Sequence, residues 1–181
     1  MEPMTVVDQN EIQRSILDDL DGGFTLMVTT YQPGIYSGAL RLTRRHDDAQ
    51  EVAQETFLRA YRALERYEPK QVKSLALRPW LWTIALNLCR NKATRSRRTD
   101  PLPSEDFIGI RDDEPFDNDG WSMRLAGLSS AQRTAVVLRH VVDLPVSEIS
   151  EITGRPQGTV KADISRGLSK LREIIDKEDL T

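Results

Sequence analysis

Between Pro79 and Arg98 the chain reads PWLWTIALNLCRNKATRSRR, and there Trp82, Thr83, Asn87 and Arg90 bring together an indole, a hydroxyl, an amide and a guanidinium. At 100° per residue these four fall away from the apolar stripe of Trp80, Leu81, Ile84, Ala85 and Leu88 and share an outward face. The mixture suits an exposed nucleobase: a ring to stack on, polar groups for the base edge and a cation for phosphate. The other reading keeps both tryptophans in the core and the arginines as solvated charge. Net charge is -3, yet residues 78–98 hold Arg78, Arg90, Lys92, Arg95, Arg97 and Arg98 with no acidic residue. Phosphate binding depends on such placement rather than on the total.

A second stretch, GRPQGTVKADISRG at 154–167, reads as a glycine turn feeding a basic helix. VSEISEIT before it is a short helix with Ile149 and Ile152 inward, and Val160, Ile164, Leu168, Leu171 and Ile175 form the inner stripe of the longer one. Short helix, turn and long helix match a helix-turn-helix, whose second helix enters the major groove of duplex DNA. The opposite face bears Thr159, Ala162, Ser165, Arg166 and Ser169, flanked by Lys161 and Lys170. Asp163 falls on the flank, about 100° from the stripe. A carboxylate there can accept from cytosine N4, orient a neighbouring Arg, or merely weaken phosphate attraction.

The clearest amphipathic helix is DDAQEVAQETFLRAYRAL at 47–64, with Asp47 placed for the N-cap. Asp48, Glu51, Gln54 and Glu55 lie on its outer side, either as a solvated face or as a docking surface. No His accompanies these carboxylates, His46 and His140 stand isolated, and no Gly-rich phosphate loop, metal-ligand spacing or nucleophile-base set occurs. The sequence therefore predicts no enzyme, no cofactor and no small-molecule substrate. Cys89 is the only cysteine, so neither an internal disulfide nor a four-ligand zinc site is available. Apolar runs are too short for a membrane span or signal peptide, which predicts a cytoplasmic protein.

The elements that must position these residues are all helical. Residues 1–22 predict a short acidic helix ending at Gly22-Gly23, and Phe24 to Leu42 a helix that Pro33-Gly34 kinks or interrupts. Residues 66–79 read as loop, and Ser129 or Ser130 caps a helix over 128–142. TDPLPSEDFIGIRDDEPFDNDG, residues 99–120, carries eight acidic residues against the single Arg111 and no apolar period. The predicted fold class is therefore all-α: small helical domains at 1–98 and 121–181, joined by a flexible acidic linker at 99–120, each burying its own core.

QETF at 54–57, PWLWTIA at 79–85 and GTVK at 158–161, in this order about an acidic linker, resemble the bacterial sigma-70 family, and in particular its extracytoplasmic function (ECF) group. The resemblance covers about residues 24–175. It implies sigma region 2 before the linker, sigma region 4 after it, and a transcription initiation factor without enzymatic activity. It further implies that Asp48, Glu51, Gln54 and Glu55 meet the β′ clamp helices of core RNA polymerase, with the β flap a further contact. The loop holding Tyr67, Lys70 and Lys73, and the helix with Trp82, Asn87, Arg90 and Arg95, would capture an unpaired base of the -10 promoter element. Asn87 matches a family position, whereas Trp82 and Arg90 are added from helical geometry. Thr159, Lys161, Ala162, Asp163, Ser165, Arg166 and Lys170 would face -35 DNA. Family members commonly carry Ser and Arg where this chain has Ala162 and Asp163, which predicts an unusual -35 sequence or weaker reliance on it. An anti-sigma factor is the further partner implied. Two rivals remain: a helix-turn-helix regulator of duplex DNA, and a decoy that occupies polymerase without productive promoter binding, for which Asp163 is the best support.

Overall fold

The computed structural model describes residues 8–99 and 120–178, with side chains to Thr94 in the first span. Nearly all of the predicted linker, and the side chain of Arg95, lie outside the described residues. The elements are α1 (Gln9–Asp18), α2 (Leu20–Thr43), α3 (His46–Leu64), α4 (Pro69–Ser74), α5 (Leu77–Thr99), α6 (Trp121–Ala126), α7 (Ser130–His140), α8 (Val146–Thr153) and α9 (Gln157–Glu178). No strand occurs among the described residues. None of the described helices is long and apolar enough to cross a membrane.

Two expected boundaries move. Gly22 and Gly23 do not end α1; they form the first turn of α2, with the Asp19 carboxylate accepting from the Gly22 N–H at 3.0 Å. A Cβ on Gly23 would stand 2.2 Å from the Ile16 nitrogen, so this glycine permits a close backbone crossing of α1 over α2. The helix also runs through Pro33, which is exposed, while Met27, Ile35 and Ala39 are buried on the other side. The missing N–H thus falls on the wet face, where water can serve the freed carbonyl, and packing on the dry face holds the helix together.

Residues 66–79, read as loop, contain α4. Pro69 sits at its first position, and the Gln71 side chain accepts from the Glu68 N–H at 2.9 Å. Its end is held by α1: Gln13 Nε2 donates toward the carbonyls of Val72 (2.8 Å), Leu75 (2.9 Å) and Lys73 (3.2 Å), and Gln9 Oε1 accepts from the Leu77 N–H at 3.1 Å. Two amides on a helix read only as acidic therefore satisfy the exposed carbonyls of α4 and set the start of α5.

The apolar core is continuous through both halves of the chain, because α5 meets α2 and α3 on one side and α8 on another. Trp82 lies at this junction and is 2% exposed, not on the outward face where the single-stripe reading placed it. Its ring fills the space that a Cβ on Gly38 would take, 2.4 Å from Cη2, and Val142, from the turn between α7 and α8, closes the same notch at 2.9 Å. Beside it, Arg78 donates to the carbonyls of Val142 and Asp143, the latter at 3.1 Å. Asp143 is left-handed at φ 59°, which helps present that carbonyl. Cys89 is buried in the same helix, and burial pushes its thiol up to about 12.

A cleft of about 640 Å³ remains at the junction, lined in part by Tyr31, Arg78, Trp82 and Glu148. Glu148 Oε2 is buried there with no hydrogen-bond partner. Burial raises its carboxyl above the usual range, Arg78 opposes this and Glu151 adds to it.

Two stability measurements follow from this packing. Gly34→Ala, with nothing within 4 Å of the new Cβ, is expected to stabilise by about 0.5–1 kcal/mol through helix propensity. Gly38→Ala is expected to cost about 1–3 kcal/mol by overpacking against Trp82, and denaturant titration of the two variants checks the difference. The raised carboxyl of Glu148 costs stability when ionised in the folded state and nothing when protonated. The melting difference between Glu148→Gln and wild type should therefore move in favour of Gln as pH rises from about 4 to 7, whatever offset the two share at low pH. A pH-independent difference would mean the carboxyl is not strained.

Candidate nucleic-acid interface

With Trp82 turned inward, the outward row of α5 consists of Thr83, Asn87, Arg90 and Thr94, all exposed and spaced by four, three and four residues. The Thr83 hydroxyl donates to the Pro79 carbonyl at 2.9 Å and that of Thr94 to the Arg90 carbonyl at 3.0 Å, so these two are spent on the backbone. The side chains of Asn87 and Arg90 make no hydrogen bond among the described residues. The missing aromatic is supplied nearby, since Tyr67 is half-buried with its ring 6.0 Å from that of Trp80. Lys70 and Lys73 project from α4 and are exposed. The structure thus brings Tyr67, Lys70, Lys73, Asn87 and Arg90 to the surface of the first half, and removes Trp82 from the set because it is a core residue.

On α3, Gln54 and Glu51 are exposed while Asp48 and Glu55 are partly covered. This face is not simply free acid. Lys92, from α5, pairs with Asp48 at 3.2 Å and with Glu51; Arg45 stands 3.6 Å from Asp48, and Arg59 pairs with Glu55 at 2.6 Å. Burial pulls the Lys92 ammonium down, but its hydrogen bonds to Glu51 and Asp48 outweigh that and hold it above the usual lysine value. Sequence reasoning counted Lys92 as one of six basic residues and missed this role. Only the helical repeat of α3 and α5 together with their antiparallel contact could have shown it. Leu58, one turn beyond Gln54, was also missed and is 44% exposed, adding an apolar group to the same surface.

In the second half, Ser129 caps α7 by accepting from the Gln132 N–H at 3.3 Å, and Gln132 Oε1 accepts from the Ser129 N–H at 3.2 Å. Gly154 closes α8 at φ 68°, a left-handed cap that glycine adopts without penalty, and α9 follows. Along α9, Lys161, Ser165, Arg166 and Lys170 are exposed, and Thr159 and Ala162 are half-buried. Asp163 departs from expectation: it is 5% exposed, with its carboxylate paired to Arg155. Of the three readings open for this residue, orientation of a neighbouring Arg is the one the geometry supports. A carboxylate so covered offers nothing to a cytosine.

Residues 27–99 match the family of Sigma-70 region 2, and residues 121–171 match Sigma-70, region 4. The chain is 30% identical to the RNA polymerase sigma factor CarQ of Myxococcus xanthus, over 90% of this chain and 95% of that one. It is also 30% identical to the RNA polymerase sigma-H factor of Pseudomonas aeruginosa, covering 94% and 92% of the two chains. The ECF RNA polymerase sigma-E factor of Haemophilus influenzae is 29% identical, with 86% of each covered. Among solved structures the fold is similar to CnrH in complex with the cytosolic domain of CnrY, with a TM-score of 0.70 at 20% identity, over 94% of this chain and 99% of that one. It is also similar to the sigma factor RpoE bound to the anti-sigma factor NepR from Bartonella quintana, with a TM-score of 0.68 at 23% identity, over 84% and 96%. Region 2 on the helices that carry Asn87 and the α3 acids, region 4 on the helix-turn-helix, and relatives matching across both halves place this chain in the sigma-70 family, as an ECF-type transcription initiation factor with no enzymatic activity of its own.

Proposed function

We propose that the protein binds core RNA polymerase through the outer face of α3, captures an unpaired -10 base with α4 and α5, and holds -35 duplex with α9. The observation that carries this reading is the pair Asn87 and Arg90: two exposed polar side chains with no partner among the described residues, on the outward face of a helix whose other sides pack in the core. Capture by such groups replaces stacking and pairing lost when a base leaves the duplex, an exchange on the order of a few kcal/mol per base. Asp48, Glu51, Gln54 and Glu55 offer polymerase a polar surface whose acids are held in place by Lys92, Arg45 and Arg59. The polymerase β′ clamp helices and β flap are the docking sites this reading assigns. An anti-sigma factor is a further proposed partner, by likeness to the Bartonella complex, and the place of action is the cytoplasm. The decoy reading drew on Asp163 as a charge facing DNA, and burial of that residue removes its support.

The arrangement of the two halves adds a step. Elements named -35 and -10 lie 25 base pairs apart, about 85 Å of duplex at 3.4 Å per pair. A compact chain of this length has a radius of gyration of about 16 Å, hence a body roughly 40 Å across. The contact of α5 with α8 and the α7–α8 turn must therefore part before both elements are held, and polymerase supplies the surfaces that part it.

Run-off transcription with bacterial core polymerase on a genomic promoter library tests the main reading. Promoter-specific transcripts should require the protein and fall at least about tenfold in the Asn87→Ala, Arg90→Ala variant, given what hydrogen bonds to charged and polar groups contribute. Absence of core binding would overturn the sigma reading for this chain. For the opening step, Gln32→Cys and Asp176→Cys, both exposed and outside the faces assigned to polymerase and DNA, accept a dye pair while buried Cys89 stays unlabelled. Energy transfer should be high in the free protein and drop when core polymerase is added. Transfer unchanged in a transcribing complex would exclude the opening.

A further inference from the structure

The region 4 helix-turn-helix contains a charge pair whose position is unusual for its purpose. Asp163 is nine-tenths buried or more on α9, an element otherwise expected to be basic toward DNA, and among the described residues its side-chain partner is Arg155, in the turn before that helix. Arg155 is fixed at its backbone as well: its N–H donates to the Ser150 carbonyl at 3.2 Å, and its own carbonyl accepts from the Ser150 hydroxyl at 2.6 Å. The side chain is still 36% exposed, and among the described residues only Nη1 of the guanidinium is engaged. A guanidinium has five N–H donors in a planar fork, so one edge can rest on a carboxylate while the rest stay available for a second anion.

The second anion is indicated by the neighbours. Thr159, Asp163, Arg166 and Lys170 follow one another by four, three and four residues and so form a single row along α9. Arg166 and Lys170 are exposed and make no ion pair within the described residues. Seated on Asp163, the Arg155 guanidinium joins this row ahead of Arg166, and three cations then run along one flank of the helix, about a turn apart. A linear run of cations beside a groove-entering helix fits a phosphate backbone, whereas base reading needs groups on the face that points into the groove.

We infer that Arg155 is a phosphate contact for the -35 duplex and that Asp163 is its positioning residue, a buried carboxylate that holds the guanidinium in the line of Arg166 and Lys170. This deepens the proposed function and rests on it. The -35 duplex then remains bound through its backbone, and Ala162 contributes no polar readout.

The test is promoter binding by assembled holoenzyme over a salt series, on a promoter recovered by run-off transcription. Arg155→Ala should weaken binding on the order of tenfold at fixed salt and reduce the magnitude of the salt slope by about one. Asp163→Ala leaves the cation but frees it, so affinity should fall several-fold with the slope nearly unchanged, and Asp163→Asn, which can still accept from Arg155, should recover most of the loss. The double variant Arg155→Ala, Asp163→Ala should be no worse than Arg155→Ala alone, since the two residues act as one unit. Base preference in a randomised -35 library should not change in Arg155→Ala. Core binding and thermal unfolding of each variant separate a folding defect from a contact defect, and Arg155→Ala alone decides the matter if Asp163→Ala fails to fold. Wild-type slope and affinity in Arg155→Ala would overturn the inference, as would an altered preference at one base pair with the slope intact. Failure of the wild-type protein to assemble with core would instead overturn the sigma reading, and this assignment with it.

Discussion

The indole of Trp82 seated between Gly38 and Val142 is the contact on which the arrangement of the whole chain depends. It lies where α2, α5 and the turn before the helix-turn-helix meet, and it can lie there only because position 38 has no Cβ. Burying so large a ring contributes several kcal/mol to any core. Here the gain is shared by the two halves of the chain. Arg78 reinforces the seam through carbonyl acceptors of Val142 and Asp143, so the link is directional. The strained carboxyl of Glu148 works against the seam at the same place. The seam thus combines a close apolar fit and two directional hydrogen bonds with one carboxyl that burial disfavours, a balance compatible with the proposed opening.

The same economy governs the charged surface. Lys92 emerges from the basic stretch of α5, yet its ammonium is committed to Asp48 and Glu51 on α3. The helix assigned to the -10 base and the helix assigned to polymerase are thereby coupled through one side chain that contacts neither ligand. Exposed ion pairs contribute little to stability. Their value here is positional: Lys92 restrains two acids on the surface proposed to meet polymerase. Arg155 and Asp163 repeat the device in region 4, with the roles of cation and anion exchanged.

Much of this was legible in the sequence, and what was not has a common cause. The amphipathic period of α3 and the glycine-capped turn of the helix-turn-helix each follow from a helix packed on one side, and Asn87 and Arg90 are exposed as expected. The inner face of α9, however, is rotated: Val160 and Leu171 are buried with Asp163 and Gly167, while Leu168, read as part of the stripe, is 37% exposed. α5 is packed on more than one side, so a wheel drawn with a single stripe put Trp82 outside when a second partner, 60 residues further on, covers it. Pro33 misled for a related reason: local chemistry argued for a break, and tertiary packing of Met27, Ile35 and Ala39 overrode it. Gly22-Gly23 looked like a stop because glycine usually marks one, whereas at position 23 it marks a close crossing of two helices. Gln9 and Gln13 carry no periodic or charge signal at all, and their role exists only once α4 offers its carbonyls.

Asp163 shows how a residue that looks wrong on a one-dimensional reading can be right in three. Counted as a formal charge on a DNA-reading helix, it subtracts from affinity. Placed at 5% exposure beneath a guanidinium, it contributes no free charge to the groove and converts a flexible turn residue into a fixed donor. A lone arginine in that turn would lose rotamer entropy on meeting a phosphate, on the order of 1–2 kcal/mol for so long a side chain. Anchoring it in advance moves that cost from binding to folding. Desolvating the carboxylate has its own cost, which is tolerable only if the partner cation is always present. The turn residue and the buried acid therefore form one functional unit, and neither can be replaced to advantage without the other.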